Sequence, residues 1–185
     1  MPGHETRFVG GSLGRWQVIG MDVVAGAGLE WADRVAILRD SALEGPTDSR
    51  WVLRGVASYE RYVTRPEREA LVARQEELGR PQATRAALIA ISKSAAWWDL
   101  TQDERRAVLE ERSGHIRTGL QYLPAVARRL YHCRDLGEPF DFLTWFEYAP
   151  HDQRRFDELV GKLRKFEEWT FVEREVDIRL VRPGL

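Results

Sequence analysis

The sequence predicts an α+β fold in which antiparallel strands form a pseudo-duplicated sheet with helices outside it. In the last third of the chain, two strand-like segments, an amphipathic helix and a further alternating strand follow one another, an order that builds an antiparallel sheet with helices on one face. A similar but less regular order precedes it. We therefore expect one domain, residues 1–185, with a reduced N-terminal half over residues 1–100 and a C-terminal half over residues 101–185.

Composition restricts the possible function classes. The 28 Lys and Arg residues against 29 Asp and Glu give a formal net charge of -1, which argues against a nucleic-acid-binding protein. No apolar run is long enough to span a membrane, and the N-terminus lacks the pattern of a secretory signal, so we expect a cytoplasmic protein. The single cysteine, Cys133, excludes an internal disulfide and a cysteine-based zinc cluster.

In the first half, strands alternate with less regular segments. Residues 1–14 are rich in glycine and polar side chains and predict a mobile lead-in. Residues 15–24 and 51–59 have the composition and alternation of strands, whereas residues 29–38 fit a strand or a short helix equally well. The acidic, small-residue stretch 40–49 predicts a loop between them.

Two segments in the middle of the chain predict a helix and a buried strand. Pro66 is placed where the first turn of a helix accepts proline, and good helix formers follow until Gly79 and Pro81 end the pattern. The short apolar run over residues 86–91 is bounded by breaker residues and predicts a buried strand.

A capping box opens the next helix. Thr101 is followed three residues later by Glu104, a pairing in which each side chain satisfies the other residue's backbone N–H. The apolar periodicity then continues, so we expect one helix to about Arg117, with His115 near its end.

The last third predicts the clearest elements. Residues 125–133 and 140–148 form two strands joined by a loop with turn chemistry, and Arg128 and Arg129 are adjacent on the first of them. An amphipathic helix follows Pro150, and residues 171–181 alternate as a closing strand.

His115 is the histidine that most merits consideration as a ligand, although a lone histidine near a helix end is more often structural. The other three, His4, His132 and His151, share no His-x-x-x-His or Glu-x-x-His spacing with it, so a multi-ligand zinc or non-haem iron site is poorly supported. A cofactor that brings its own four equatorial nitrogens needs one protein ligand, and that cofactor is haem.

Two further groups could complete such a site. An iron-bound histidine benefits from an acceptor on its second ring nitrogen, and Glu167, Glu168 and Glu173, beside Trp169, are the acidic residues best placed for this in the last third of the chain. Arg128 and Arg129 must point to opposite faces of the sheet, so one of them faces inward or into a pocket. A solvated helix end explains the glutamates equally well, and a surface strand with both side chains in solvent explains the arginines equally well.

The run HIRTGLQYLPAVARRLYHCRDLGEPFDFLTWFEYAP, preceded by SKSAAWWDL and followed by EEWTFVEREVDIRL, resembles the chlorite dismutase family, in particular its short, dimeric branch. The resemblance extends over most of the chain from about Trp51 onward. It implies a ferredoxin-like α+β barrel of two four-stranded sheets in pseudo-repeat, with haem b, the iron cofactor, in the C-terminal half, and a homodimer.

The resemblance also implies the roles of the residues that would surround the haem. His115 would be the proximal ligand of the iron, Glu168 would accept its other ring N–H, and Lys93 would join that hydrogen-bond network. Arg128 would be the distal arginine, and Gln75 would hold it in one of its positions.

Two aromatic side chains complete the set of residues that the resemblance assigns. Trp97 and Trp98 would pack near the haem edge or at the subunit interface.

The implied activity is the detoxifying conversion of chlorite, a small anionic substrate, to chloride and dioxygen through a ferryl-oxo intermediate and transient hypochlorite, which Arg128 would retain. Three alternatives remain: a coproheme decarboxylase, a peroxidase-like haem enzyme, and a non-catalytic ferredoxin-like dimeric binding module in which His115 and Arg128 are ordinary structural residues. Coproheme decarboxylases resemble the longer members and lack the distal arginine, so Arg128 and the short chain favour chlorite.

Overall fold

A computed structural model of the chain describes residues 5–39, 48–57 and 61–184. Its strands form a closed antiparallel barrel in the order β1-β3-β2-β8-β5-β7-β6-β4. The strands are β1 (Glu5–Gly11), β2 (Trp16–Ala25), β3 (Arg34–Arg39), β4 (Trp51–Val56), β5 (Arg85–Lys93), β6 (Ala127–His132), β7 (Phe142–Tyr148) and β8 (Val172–Val181). The α-helices are α1 (Arg65–Arg74), α2 (Ala95–Asp99), α3 (Gln102–Arg106), α4 (His115–Leu120) and α5 (Gln153–Leu163), and they lie outside the barrel. The predicted α+β class is confirmed.

Large aromatic side chains fill the barrel interior. The ring of Phe8 on β1 contacts Tyr131 edge-on with 5.2 Å between centroids, and Trp16 meets Trp145 in the same way at 5.3 Å. These rings and the aliphatic side chains between them form the main buried cluster. Burial of this apolar surface is what holds the strands in one closed barrel.

Strand β5 is buried on both faces, which explains its uninterrupted apolar sequence. Leu88 points into the barrel and is fully buried, whereas Ile89 points outward and is 5 % exposed. The outer face packs against α5, whose buried stripe consists of Phe156, Leu159, Val160 and Leu163. A second apolar layer therefore lies between this part of the barrel and its helices.

The predicted mobile lead-in is wrong for its described part, because residues 5–11 form β1. This strand pairs with β3 on one side and β4 on the other, so it closes the barrel. The glycines that suggested a loop have a packing function: a Cβ on Gly10 would lie 2.1 Å from the indole ring of Trp51. Residues 1–4 lie outside the described part of the chain.

The prediction of one helix from Thr101 to Arg117 is also wrong, although the capping box is confirmed. Helix α3 ends at Arg106 and continues as a π-helix over Ala107–Arg112. Gly114 then adopts a left-handed backbone, with φ 67°, and α4 begins at the next residue. The π-turn and the left-handed glycine change the direction of the chain, so His115 starts a helix instead of ending one.

The remaining differences concern boundaries. The ambiguous stretch 29–38 contains all of β3 except its last residue, and α1 ends at Arg74, earlier than predicted. Most of the predicted loop, residues 40–47, lies outside the described part of the chain. The same holds for residues 58–60, which include the end of the strand predicted over residues 51–59. In the described ranges, no helix has both the length and the apolar character needed to cross a lipid bilayer.

Candidate active site

A cavity of about 360 Å³ lies against the outer face of β5, β7 and β6, with α4 and α5 contributing its other walls. Its lining is largely apolar. The sheet contributes Ile89, Ile91, Leu130, Phe142, Thr144 and Phe146, and the helices contribute Ile116, Leu159, Val160 and Leu163. A concave, mostly apolar site with a few convergent polar groups is typical of small-molecule and cofactor pockets.

His115 reaches this cavity from the first position of α4. The buried carboxylate of Glu110, in the π-helix, accepts from the backbone N–H of Ile116 at 2.6 Å and of Arg117 at 3.3 Å. It satisfies N–H groups that a helix start leaves unpaired, and so fixes the turn that carries His115. Sequence reasoning missed Glu110, since a regular helix would not have brought it to the next helix's start.

The ring of His115 is held by a buried ion pair. Its Nδ1 lies 2.6 Å from Oε2 of Glu168, and Oε1 of the same carboxylate accepts from Nζ of Lys93 at 2.9 Å. The side chains of Lys93 and Glu168 are only 4 % and 7 % exposed. The three residues that the resemblance groups on one side of the haem thus contact one another.

The charge state of Glu168 follows from these contacts. Burial on its own raises the pKa of the carboxyl, but the neighbouring His115 and Lys93 more than offset this and lower the pKa to about 2. Glu168 is therefore an anion near neutral pH and accepts the Nδ1 proton of His115. The lone pair on Nε2 is left available to a metal, and the hydrogen bond makes it a stronger ligand.

Trp169 packs on the other side of this histidine. Its ring is stacked on His115 with 6.4 Å between centroids and 24° between planes. Its indole N–H donates to Oε2 of the fully buried Glu175 at 2.8 Å, and Lys93 Nζ lies 5.4 Å from the ring centroid. The orientation of His115 is thus restricted by both an ion pair and an aromatic plane.

Arg128 and Gln75 meet at another part of the cavity wall, which both residues line. The side-chain amide of Gln75 donates to the backbone carbonyl of Arg128 at 2.9 Å, so it contacts the backbone of β6 at this residue. Arg128 is half-buried, whereas Arg129 is exposed and also reaches the cavity wall.

The two tryptophans have different environments. Trp97 lines the cavity and is 1 % exposed, and its indole N–H has no hydrogen-bond partner in the described part of the protein. Trp98 is not among the described residues that line the cavity. Its ring is stacked on Phe142 and its N–H donates to Asp141 at 3.2 Å. A buried donor without an acceptor is costly, so the N–H of Trp97 carries an uncompensated desolvation cost beside the cavity.

Three further lining residues were not singled out from the sequence as site residues: Arg61, Tyr62 and His132. Tyr62 adopts a left-handed backbone, φ 64°, which is rare for a bulky side chain. Across the described ranges, no group of three or more His, Cys, Asp or Glu residues is arranged to hold a bare metal ion. His115 is therefore a single metal ligand beside an apolar cavity.

Comparison with known proteins agrees with this arrangement. Residues 30–182 match the family model of chlorite dismutase. The chain is 59 % identical to the dimeric chlorite dismutase of Nitrobacter winogradskyi, with a TM-score of 0.88 over 96 % of this chain and 99 % of that one.

Two more distant similarities point the same way. A chlorite dismutase of Ideonella dechloratans is 37 % identical over 83 residues, a match that spans 45 % of this chain but only 27 % of that protein's length. The chlorite dismutase of Candidatus Nitrospira defluvii, solved in complex with imidazole, is 21 % identical, with a TM-score of 0.73 over 98 % of this chain and 92 % of that one. The second similarity concerns the fold alone.

Proposed function

The chain belongs to the chlorite dismutase family, and on that premise we propose that it is a haem b-dependent enzyme that converts chlorite to chloride and dioxygen. One observation carries the proposal. The Nδ1 atom of His115 lies 2.6 Å from the buried Glu168 carboxylate, which leaves Nε2 free to bind iron at the wall of a largely apolar cavity.

The residues present fit haem. The macrocycle needs apolar walls, which β5, β7 and α5 provide, and one axial ligand, which His115 supplies. The haem would be held by His115 in the C-terminal half, residues 101–185, while residues 1–100 would contribute Gln75, Lys93 and the apolar outer face of β5.

Haem, when bound, would supply the redox chemistry that rearranges chlorite so that both of its oxygen atoms leave as dioxygen and the chlorine leaves as chloride. The residues of this chain would control the axial ligand. Glu168 keeps the proton on Nδ1 of His115, and Lys93 neutralises the carboxylate that would otherwise be buried alone. Trp169 limits rotation of the imidazole ring.

Arg128 would act on the anionic substrate. A guanidinium in the wall of an apolar cavity attracts chlorite and, because the local dielectric is low, holds negatively charged chlorine species near the reaction centre until dioxygen has formed. Gln75 would fix the strand from which Arg128 extends. Arg128 is thus the proposed substrate-binding group, and Gln75 a positioning residue.

The proposed assembly is a homodimer, supported by the relative from Nitrobacter winogradskyi, which is dimeric. The proposed location is the cytoplasm.

Two measurements test the proposal. Purified protein titrated with haemin is expected to give a sharp Soret band at one equivalent, which His115→Ala abolishes. An oxygen electrode is then expected to record one dioxygen per chlorite added to the loaded protein.

The alternative functions predict other outcomes. Haem binding without oxygen release, but with decarboxylation of coproheme by hydrogen peroxide, would indicate a coproheme decarboxylase. Oxidation of a dye by hydrogen peroxide, with neither dioxygen release from chlorite nor decarboxylation of coproheme, would indicate a peroxidase-like enzyme. A protein that shows no Soret band dependent on His115 would be a non-catalytic binding module, and the proposal would be wrong. His151→Ala, which removes an exposed histidine, is the matched control for the titration.

A further inference from the structure

His132 is a polar residue to which the proposed function assigns no role. It lies on β6, half-buried, and lines the cavity. Its Nδ1 atom is inaccessible to solvent and has no hydrogen-bond partner in the described ranges. Its ring meets Phe142 edge-on, with 5.6 Å between centroids, so this neighbour offers no polar atom.

The strand register places His132 at one end of the cavity. His132 and Ile91 are both paired with Phe142, whereas Arg128 is paired with Phe146 farther along the same strands. His132 and Arg128 point to the same face of β6 and, four residues apart, are separated by about 13 Å along the strand. They therefore serve different parts of the cavity.

The cavity end that carries His132 is polar. Arg61 is an exposed cation in the lining, close enough to His132 to affect its titration. Tyr62 also lines the cavity, and its ring packs edge-on against Trp97 at 6.3 Å, which places the unpartnered indole N–H in the same neighbourhood. The opposite part carries Arg128 and is otherwise lined by apolar side chains such as Phe146, Val160 and Leu163. An amphipathic ligand would direct its charged groups toward Arg61 and His132.

The charge at this end of the cavity is unbalanced. Burial and the positive charge of Arg61 lower the pKa of His132 to about 4, and the one opposing influence among the described groups is the carboxylate of Asp135. An anion placed between the imidazole of His132 and the guanidinium of Arg61 would offset both the burial of the ring and the positive charge beside it. It would accept a hydrogen bond from Nε2, the ring nitrogen that is not enclosed by the protein, and would favour the protonated ring.

We propose that His132, together with Arg61, binds a carboxylate side chain of the haem and so selects haem by its acidic edge. This inference rests on the proposed function, because it requires haem in the cavity. His132 here is a cofactor-binding residue, distinct from the iron ligand His115 and from the substrate-binding Arg128.

The test compares haemin with haemin dimethyl ester, in which the carboxylates are blocked and the iron ligation is unchanged. Dissociation constants are measured from the Soret band of the purified full-length protein. The parent protein is expected to bind the ester at least about tenfold more weakly than haemin, because charge-assisted hydrogen bonds are lost. His132→Phe is expected to lose most of this preference and Arg61→Gln part of it.

Matched controls separate a specific effect from a general one. His151→Phe, which changes an exposed histidine, is expected to retain the full preference of the parent. His132→Gln keeps an amide donor and is expected to retain part of it, which carries the test if the phenylalanine variant does not fold. Equal preference for haemin in His132→Phe, His132→Gln and the parent, or no preference in the parent, would overturn the inference.

The two proposals can fail separately. A parent that shows no Soret band dependent on His115 refutes the proposed function and this inference with it. A parent that binds haem and releases dioxygen from chlorite, while its His132 variants discriminate against the ester as strongly as it does, refutes the role of His132 alone.

Discussion

Lys93 and Glu168 form an ion pair with 2.9 Å between Nζ and Oε1, and both side chains are almost completely buried. The residues are 75 positions apart in the chain, so the pair joins the end of β5 to the segment before β8. Neither charge could be buried alone without a large desolvation cost. The pair is therefore as much a structural contact as a device for orienting His115.

Glu168→Gln should destabilise the protein without haem by about 3 kcal/mol, because it leaves the ammonium of Lys93 buried without a counter-charge. The double variant Lys93→Met, Glu168→Gln should recover much of this loss, since it removes both charges. Urea unfolding at neutral pH measures both values. A single variant as stable as the double one would show that the pair contributes little.

The pH dependence of stability should show the same interaction. The pKa of Glu168 in the folded protein, about 2, is below its ordinary value of 4.5, so its contribution is fully present above pH 4.5 and is lost as the pH falls from 4.5 to 2. A pKa lowered by this amount corresponds to about 3 kcal/mol. Unfolding curves at successive pH values should therefore fall more steeply in this window for the parent than for Glu168→Gln.

His132 should act in a different pH window. Its pKa, about 4 in the folded protein against 6.5 ordinarily, means that the unfolded chain takes up a proton first as the pH falls. Stability is therefore full above pH 6.5 and decreases toward pH 4, by about 1–2 kcal/mol after allowance for solvent screening of a half-exposed ring. His132→Phe should remove this decrease but leave the one below pH 4.5. If the stability of His132→Phe fell between pH 6.5 and pH 4 as steeply as that of the parent, the decrease would not be due to His132.

Sequence reasoning succeeded where one local signal determined the structure. Alternation and turn residues predicted β6, β7 and β8 within two residues of their observed ends, and the Thr101–Glu104 capping box marked a true helix start. It failed where a distant contact decided the outcome. Gly10 indicates a loop when considered alone, and only its contact with the Trp51 ring explains why a strand has glycine there.

The site could be predicted only in part for the same reason. Resemblance to a family named His115, Glu168, Lys93 and Arg128, but no local pattern could show that Nδ1 of His115 would meet a carboxylate 53 residues later. Glu110 was missed because a π-helix changes which side chains share a face. The unpartnered atoms of Trp97 and His132 are properties of the folded molecule, and no sequence signal marks them.

A second buried charge cluster supports Trp169. Nε and Nη2 of Arg164 bind the fully buried Glu175 at 2.9 and 2.7 Å, and Nη2 also binds Asp177 at 2.8 Å. Arg164→Met should cost about 3 kcal/mol and alter the near-ultraviolet circular dichroism of Trp169, whose N–H donates to Glu175. Lys162→Met breaks an exposed ion pair two residues earlier, in the last turn of α5, and should change neither measurement appreciably. Similar losses in both variants would argue against a special role for burial.

Arg128→Ala in the haem-loaded enzyme should reduce the yield of dioxygen per chlorite and increase both the release of hypochlorite and the bleaching of haem. The reason is electrostatic: without the guanidinium, the cavity wall no longer attracts or retains small anions. We expect at least a tenfold decrease in kcat/KM for chlorite, about 1.4 kcal/mol or more. An oxygen electrode, a chlorination-sensitive dye and the Soret band record the three effects.

The neighbouring arginine provides the control. Arg129→Ala removes an equal charge one position along the same strand, from an exposed side chain that also lines the cavity but extends from the other face of β6. If the effect depends on the position of Arg128 and not on total charge, Arg129→Ala should retain the oxygen yield of the parent. Arg128→Lys should give an intermediate yield, because it keeps the charge but loses the planar fork of donors. Complete conversion by Arg128→Ala, without leakage or faster bleaching, would show that the cavity retains its reactive anions by other means.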